Sequence, residues 1–171
     1  MKSDNKISKY KKNNNDISLA HRDEVKIINV AMTQQATRNL DILSRHLDPG
    51  VFDSLDFLDA VKQLSISSRF TKIRILISDS DPMTKNGHRF TDLIQQLTSS
   101  IEVRQISEEY KSYNEAFSLF DGKAVIYLRY ADRYDGFANF NRPRLVTELS
   151  NFFNEVWEHS IPDANLRRLH I

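Results

Sequence analysis

Residues 116–130 read Ala-Phe-Ser-Leu-Phe-Asp-Gly-Lys-Ala-Val-Ile-Tyr-Leu-Arg-Tyr. Two apolar runs, Ala116–Phe120 and Lys123–Tyr130, are separated only by Asp121-Gly122. That dipeptide is a strong hairpin signal, because the turn needs positive φ. Upstream the pattern is different. Leu40–Ser44, Ile73–Ile77 and Ile101–Gln105 read as strands, each separated from the next by a helical stripe. Leu55, Leu58, Val61 and Leu64 form one stripe, with Ser54 placed to cap it. Phe90, Leu93, Ile94 and Leu97 form another, and Ile28, Ala31, Met32 and Ala36 mark an earlier helix over Asp23–Arg38. Asp48-Pro49-Gly50 breaks the first strand, and Asp79–Gly87 is a polar loop. Downstream of the hairpin, Arg133–Asn141 reads as a loop. Pro143 then opens a helix whose stripe runs from Leu145 to Trp157. Pro162 ends it, leaving Asp163–Ile171 as a short amphipathic end.

The order is therefore α-β-α-β-α-β, a β-hairpin, and a final helix. Alternating helices and strands imply right-handed crossovers and a parallel start to the sheet, and the hairpin adds antiparallel strands. The expected fold is an α/β sandwich with a mixed sheet and helices on both faces. Phe117, Leu119, Val125, Tyr127, Phe152, Phe153, Val156 and Trp157 are expected to share one core.

Composition narrows the function classes. The chain has 171 residues, 27% of them charged, and no cysteine. That excludes a disulfide framework, a thiolate metal site and a cysteine nucleophile, and it fits a reducing, cytoplasmic setting. No apolar run approaches the roughly 20 residues of a spanning helix, and no secretory signal is expected. Five lysines stand against one aspartate in residues 1–15, while the whole chain carries only +1, so the remainder is acidic on balance. Residues 1–22 read as a disordered basic tail able to make weak, salt-dependent contact with nucleic acid, and residues 23–171 as the domain.

Ligands of open α/β sheets lie beyond the carboxyl ends of parallel strands. The loops there bring His46, Asp48, His88 and Arg89, with Asp79 and Asp81, toward one rim. No tight metal-ligand pair such as His-Glu-x-x-His occurs, nor a Gly-x-Ser-x-Gly elbow, and the four glycines are scattered. Neither a metal nor a cofactor is expected. Gly87 before His88 is placed to open a helix N-terminus toward an anion, or simply to turn the chain.

Asn114-Glu115-Ala116-Phe117-Ser118-Leu119-Phe120-Asp121-Gly122 resembles the phospholipase D superfamily signature His-x-Lys-x4-Asp, with Asn114 at the His position, Ala116 at the Lys position and Asp121 at the Asp position. Gly136-Phe137-Ala138-Asn139 is similar to the Gly-Ser-x-Asn that follows in that superfamily, with Asn139 matching its Asn. Phe153 and Trp157 resemble the Phe-x-x-x-Trp helix that closes such domains. The resemblance extends over about Asp23–Ser160, and more narrowly to a bacterial family of unknown function built on one half-domain of that fold.

The resemblance implies a phospholipase D-like sandwich whose His attacks phosphorus and whose Lys holds the phosphate oxygens. Asn114 and Ala116 supply neither function, so the expected protein is a non-catalytic binding or assembly module. The superfamily uses two such motifs, which leaves a homodimer open. Two alternatives stand beside this reading. One is an enzyme using His46, Asp48 and His88. The other is a nucleic-acid-binding module using the tail with Arg129, Arg133, Arg142 and Arg144, among which Tyr127, Tyr130, Tyr134 and Phe140 are interleaved.

Overall fold

The computed structural model describes residues 14–80, 82 and 87–167. Eight strands form one mixed sheet: β1 (Ile17–Leu19), β2 (Asn39–Ser44), β3 (Lys72–Ile77), β4 (Ile101–Gln105), β5 (Ala116–Phe120), β6 (Ala124–Leu128), β7 (Gly136–Asn139) and β8 (Ile161–Pro162). The helices are α1 (Arg22–Gln35), α2 (Pro49–Phe52), α3 (Leu55–Ser67), α4 (Arg89–Gln96), α5 (Pro143–His159) and α6 (Ala164–Arg167). The spatial order of strands is β1-β7-β6-β5-β2-β3-β4-β8. β2, β3 and β4 are parallel, as alternating helices require, and every other pairing is antiparallel.

Strand side chains alternate between two cores. On one face Leu40, Ile42, Ile73, Ile75 and Phe120 pack against Val25, Ile28 and Met32 of α1, Phe57 and Val61 of α3, and Phe90 and Ile94 of α4. On the other face Leu43, Leu76, Phe117, Leu119 and Val125 pack against Phe153, Val156 and Trp157 of α5, with Tyr127 and Phe152 at the margin. The eight residues expected to share a core do so, and the sandwich has helices on both faces. Arg74 crosses the α5 face with a bidentate pair to Asp41, both bonds 2.8 Å, and lies 4.8 Å from the Phe153 ring centre.

Several boundaries differ from the sequence reading. The expected tail over residues 1–22 is too long: Ile17 and Leu19 are buried where β1 pairs with β7, and only residues 1–13 lie outside the described part. The expected loop over Arg133–Asn141 contains β7, which closes against β6 through Gly136. A Cβ at Gly136 would sit 1.9 Å from the Tyr127 carbonyl oxygen, so the pairing requires glycine. The first helix stops at Gln35, short of Arg38: Ala36 N–H makes the last bond back to Met32 O, and the N–H groups of Thr37, Arg38 and Asn39 turn to Asp121. Pro49-Gly50 starts the short α2, with the Asp48 carboxylate accepting from Gly50 N–H at 2.9 Å. Ser54 caps α3 as expected, accepting from Phe57 N–H. Asp81 and much of the 79–87 loop lie outside the described residues, as does the chain end beyond residue 167.

Candidate functional site

Because β5 runs antiparallel to β2, its first residues lie beside the carboxyl end of β2. A cavity of about 200 Å³ opens there, on the α1 face. Its floor is sheet, with Ile42 and Ser44 of β2, Ala116 and Ser118 of β5, and Ile126 and Leu128 of β6. Val25 and Asn29 of α1, Val51 and Phe52 of α2, and the segment from Ala131 to Tyr134 complete the wall. His46 and Asp48, which follow β2, reach the same cavity.

Each expected position can now be placed. Ala116 is buried and forms part of the cavity floor. Asn114 lies two residues before it on an exposed segment, and its Oδ1 accepts from Arg45 Nη2 at 2.8 Å. Asp121 stands at the far end of β5, about 17 Å along the strand from Ala116 at ordinary strand rise. Asp121 and Gly122 both have positive φ, 52° and 71°. The Asp121 carboxylate accepts backbone N–H bonds from Thr37, Arg38 and Asn39 at 2.8–2.9 Å. Burial pushes its pKa up, but these donors outweigh burial and hold it below 3.8. Asp121 thus fastens the hairpin turn to the start of β2. Asn139 pairs with Val125, well down the strand from Gly136, which pairs with Leu128. It is buried, donating to Asn14 O and Asp16 Oδ1 and accepting from Asn141 N–H at 2.9 Å. So Ala116 belongs to the cavity, Asn114 lies at the same end of the sheet in a neighbouring groove with Tyr113 and Arg129, and Asp121 and Asn139 serve the opposite end.

The expected rim also divides. Asp48 Oδ2 accepts from the Tyr134 hydroxyl, and Oδ1 from Gly50 N–H. Burial, followed by that bond to Asp48, pushes the Tyr134 phenol up to about 12. His88 is buried outside the cavity lining. Its Nε2 donates to Leu47 O at 3.1 Å and its Nδ1 accepts from Phe90 N–H at 3.2 Å. Those two contacts define a neutral imidazole, in keeping with a pKa that burial lowers below 6.5. Asp53 Oδ1 lies 3.2 Å from the same Nδ1 and shares the Phe90 N–H. With the imidazole neutral, that approach is a shared donor rather than an ion pair. Arg89 is exposed and donates to Asp53 O at 2.8 Å. The α4 N-terminus is therefore capped internally by His88 and Asp53, in keeping with Gly87 simply turning the chain rather than opening an anion site. His46 and Asp48 converge on the cavity; His88 and Arg89 do not.

The four arginines considered for nucleic acid also separate. Arg129 follows β6 at the cavity end, its N–H donating to Asp135 O. Arg142 is at the other end, its N–H donating to Lys123 O and its guanidinium paired with Asp16. Among the described residues, no group of three or more His, Asp or Glu side chains is arranged to hold a metal ion.

One cavity residue was not singled out from sequence. Asn29 is 1% exposed, and neither its Nδ2 nor its Oδ1 has a hydrogen-bond partner. The available signal was a polar residue within an apolar helical stripe, four residues after Val25 and three before Met32.

The mixed sheet between helical layers is similar in fold to solved phospholipase D family structures. Nuc from Salmonella typhimurium, a phospholipase D family member, superposes with a TM-score of 0.60 at 12% identity, over 87% of this chain and 99% of that one. NucT from Helicobacter pylori gives 0.57 at 13%, with the same coverage of each chain. TrmBL2, an archaeal chromatin protein whose structure shows a novel mode of DNA binding, gives 0.61 at 15%; 85% of this chain covers 52% of that one. These identities carry the fold and nothing finer, and this chain spans only about half of TrmBL2. The family model for a domain of unknown function, DUF7931, matches residues 21–169, and the chain belongs to that family. No curated protein matches the sequence significantly.

Proposed function

We propose that this chain is a phospholipase D-like domain without phosphodiester chemistry, acting as a binding or assembly module. The observation that supports this reading is that Ala116 lines the cavity at the start of β5, with Asn114 two residues before it, where the motif would need a lysine and a histidine. An amide nitrogen has no lone pair available for attack on phosphorus at neutral pH, and a methyl group offers no charge to a developing phosphorane. Asn114 is also bonded to Arg45. His46 and Asp48 make a poor substitute pair, because both Asp48 oxygens already accept bonds from Tyr134 and Gly50. A bacterial, cytoplasmic setting accompanies this reading. The bacterial part rests on the resemblance to a bacterial family and the cytoplasmic part on a cysteine-free composition suited to a reducing compartment; no helix among the described residues is long and apolar enough to cross a membrane.

A nucleic-acid-binding module is the second reading. It draws on the likeness to TrmBL2 and on Arg133 lying 5.4 Å from the Tyr130 ring centre near the cavity mouth. The distance between Arg129 and Arg142 along the sheet weighs against one continuous basic face.

The test is the intact mass of the full-length chain after incubation with a bis-aryl phosphodiester at acidic and neutral pH. The proposal expects the unmodified mass throughout. A phosphoryl adduct on a cavity residue overturns it.

A further inference from the structure

We propose that the cavity at Asn29 binds a small uncharged molecule presenting an amide-type edge, a hydrogen-bond donor beside an acceptor, as carboxamides and nucleobases do. This rests on the reading of the chain as a binding module and names the chemistry of its ligand. Buried side-chain polar atoms are nearly always paired, and leaving one unpaired costs stability. Asn29 leaves two unpaired, Nδ2 and Oδ1, at 1% exposure on the cavity wall. Both atoms are buried as well as unpaired, so a ligand meets them as the side chain turns toward the cavity it lines; exchanging their assignment changes nothing, because either way one donor and one acceptor sit side by side. An apolar residue would serve the α1 stripe better, so the fold itself gives no reason for the amide.

Size and charge define the ligand further. A single water needs about 10–15 Å³, whereas this cavity holds about 200 Å³, enough for a ring-sized molecule. Val25, Ile42, Val51, Phe52, Ile126 and Leu128 supply apolar walls, which with a few fixed polar groups is the usual make-up of a small-molecule site. The Ser44 hydroxyl donates to His46 O, and the Tyr134 hydroxyl donates to Asp48, so both oxygens are left as acceptors. Asp48 and Asp132 add negative charge to the lining. A phosphate or carboxylate, which can only accept, would meet these acceptors and two carboxylates against the single arginine of the lining, Arg133. A neutral molecule with N–H donors beside one acceptor matches what is there.

The experiment is a titration of ¹⁵N-labelled full-length chain with three probes: nicotinamide, uracil and inorganic phosphate. The Asn29 side-chain NH₂ resonances are followed by NMR. The expected result is a saturable shift with nicotinamide, uracil or both, and none with phosphate; the active arm shows whether a carboxamide or a nucleobase edge is preferred. In Asn29→Leu, followed through the backbone amide resonances of the cavity lining in both proteins, that binding should weaken tenfold or more, and the Tm should rise by about 2–4 °C as the unpaired amide is removed. No shift with either neutral probe, or a matching shift with phosphate, overturns the inference. So does a lowered Tm in Asn29→Leu, which would mean the amide is already satisfied within the fold. A phosphoryl adduct would instead overturn the non-catalytic reading and leave this titration standing, so the two failures are distinguishable.

Discussion

Arg45 Nη2 donates to Asn114 Oδ1 at 2.8 Å, joining the residue after β2 to the segment that leads into β5. Both residues are exposed, so the bond orients Asn114 without being part of the core. Arg45→Ala and Asn114→Ala should each change stability by no more than about 1 kcal/mol in urea denaturation. A loss above about 2 kcal/mol for either would give the pair a structural weight that its exposure does not indicate.

Asp121 carries the opposite expectation. Removing its carboxylate frees three backbone N–H groups at the start of β2, so Asp121→Ala should cost about 2–3 kcal/mol. Its pKa is lower in the folded state than the ordinary 3.8. The stabilisation is therefore complete above about 3.8 and is lost as the pH falls through the folded-state value. Denaturation midpoints of wild type and Asp121→Asn should differ most near neutrality and converge in acid. A gap that is constant down to strongly acidic pH would contradict the assigned bonds.

His88 gives a second pH dependence, of a different origin. Burial lowers its folded-state pKa below 6.5, so the unfolded chain takes up this proton first as the pH drops. The stability contribution of neutral His88 is full above about 6.5 and declines below it until the folded-state value is passed. Tm measured from pH 8 to pH 5 should fall more steeply in wild type than in His88→Gln. Parallel curves would mean that the imidazole is not held neutral between Leu47 and Phe90.

The α5 face tests the sandwich itself. Trp157 stacks on Phe153 with ring centres 5.8 Å apart, and Arg104 lies 4.4 Å from the Trp157 ring centre. Trp157→Ala should cost about 3–5 kcal/mol by chemical denaturation. A loss below about 1 kcal/mol would mean α5 does not pack on the sheet as described.

What could be read from the sequence depended on how local the signal was. Ile73–Ile77 announces a buried strand because every residue but Arg74 is apolar, and Asp121-Gly122 announces a turn by its chemistry alone. β7 was hidden because Gly136 and Asn139 look like loop residues; only the close approach of Tyr127 O explains the glycine. β1 was hidden behind the lysine-rich leader, three residues being too few for a pattern. The work of Asp121 at Asn39, 82 positions away, cannot be seen in a linear reading. The same holds for the rim. His46 and His88 follow parallel strands, yet a backbone carbonyl at Leu47 draws His88 inward, away from the cavity. Asn29 went unnoticed because one polar residue in a helical stripe is ordinary until both its amide atoms prove to be unpaired.

The central proposal is that this chain carries out no phosphodiester chemistry. Its most direct test is turnover of a bis-aryl phosphodiester by the purified full-length chain, measured beside Asn114→Ala and His46→Ala variants across pH 5–8. All three should release aryl alcohol no faster than buffer at every protein concentration. Saturable release by the wild-type chain that disappears in either variant would contradict it.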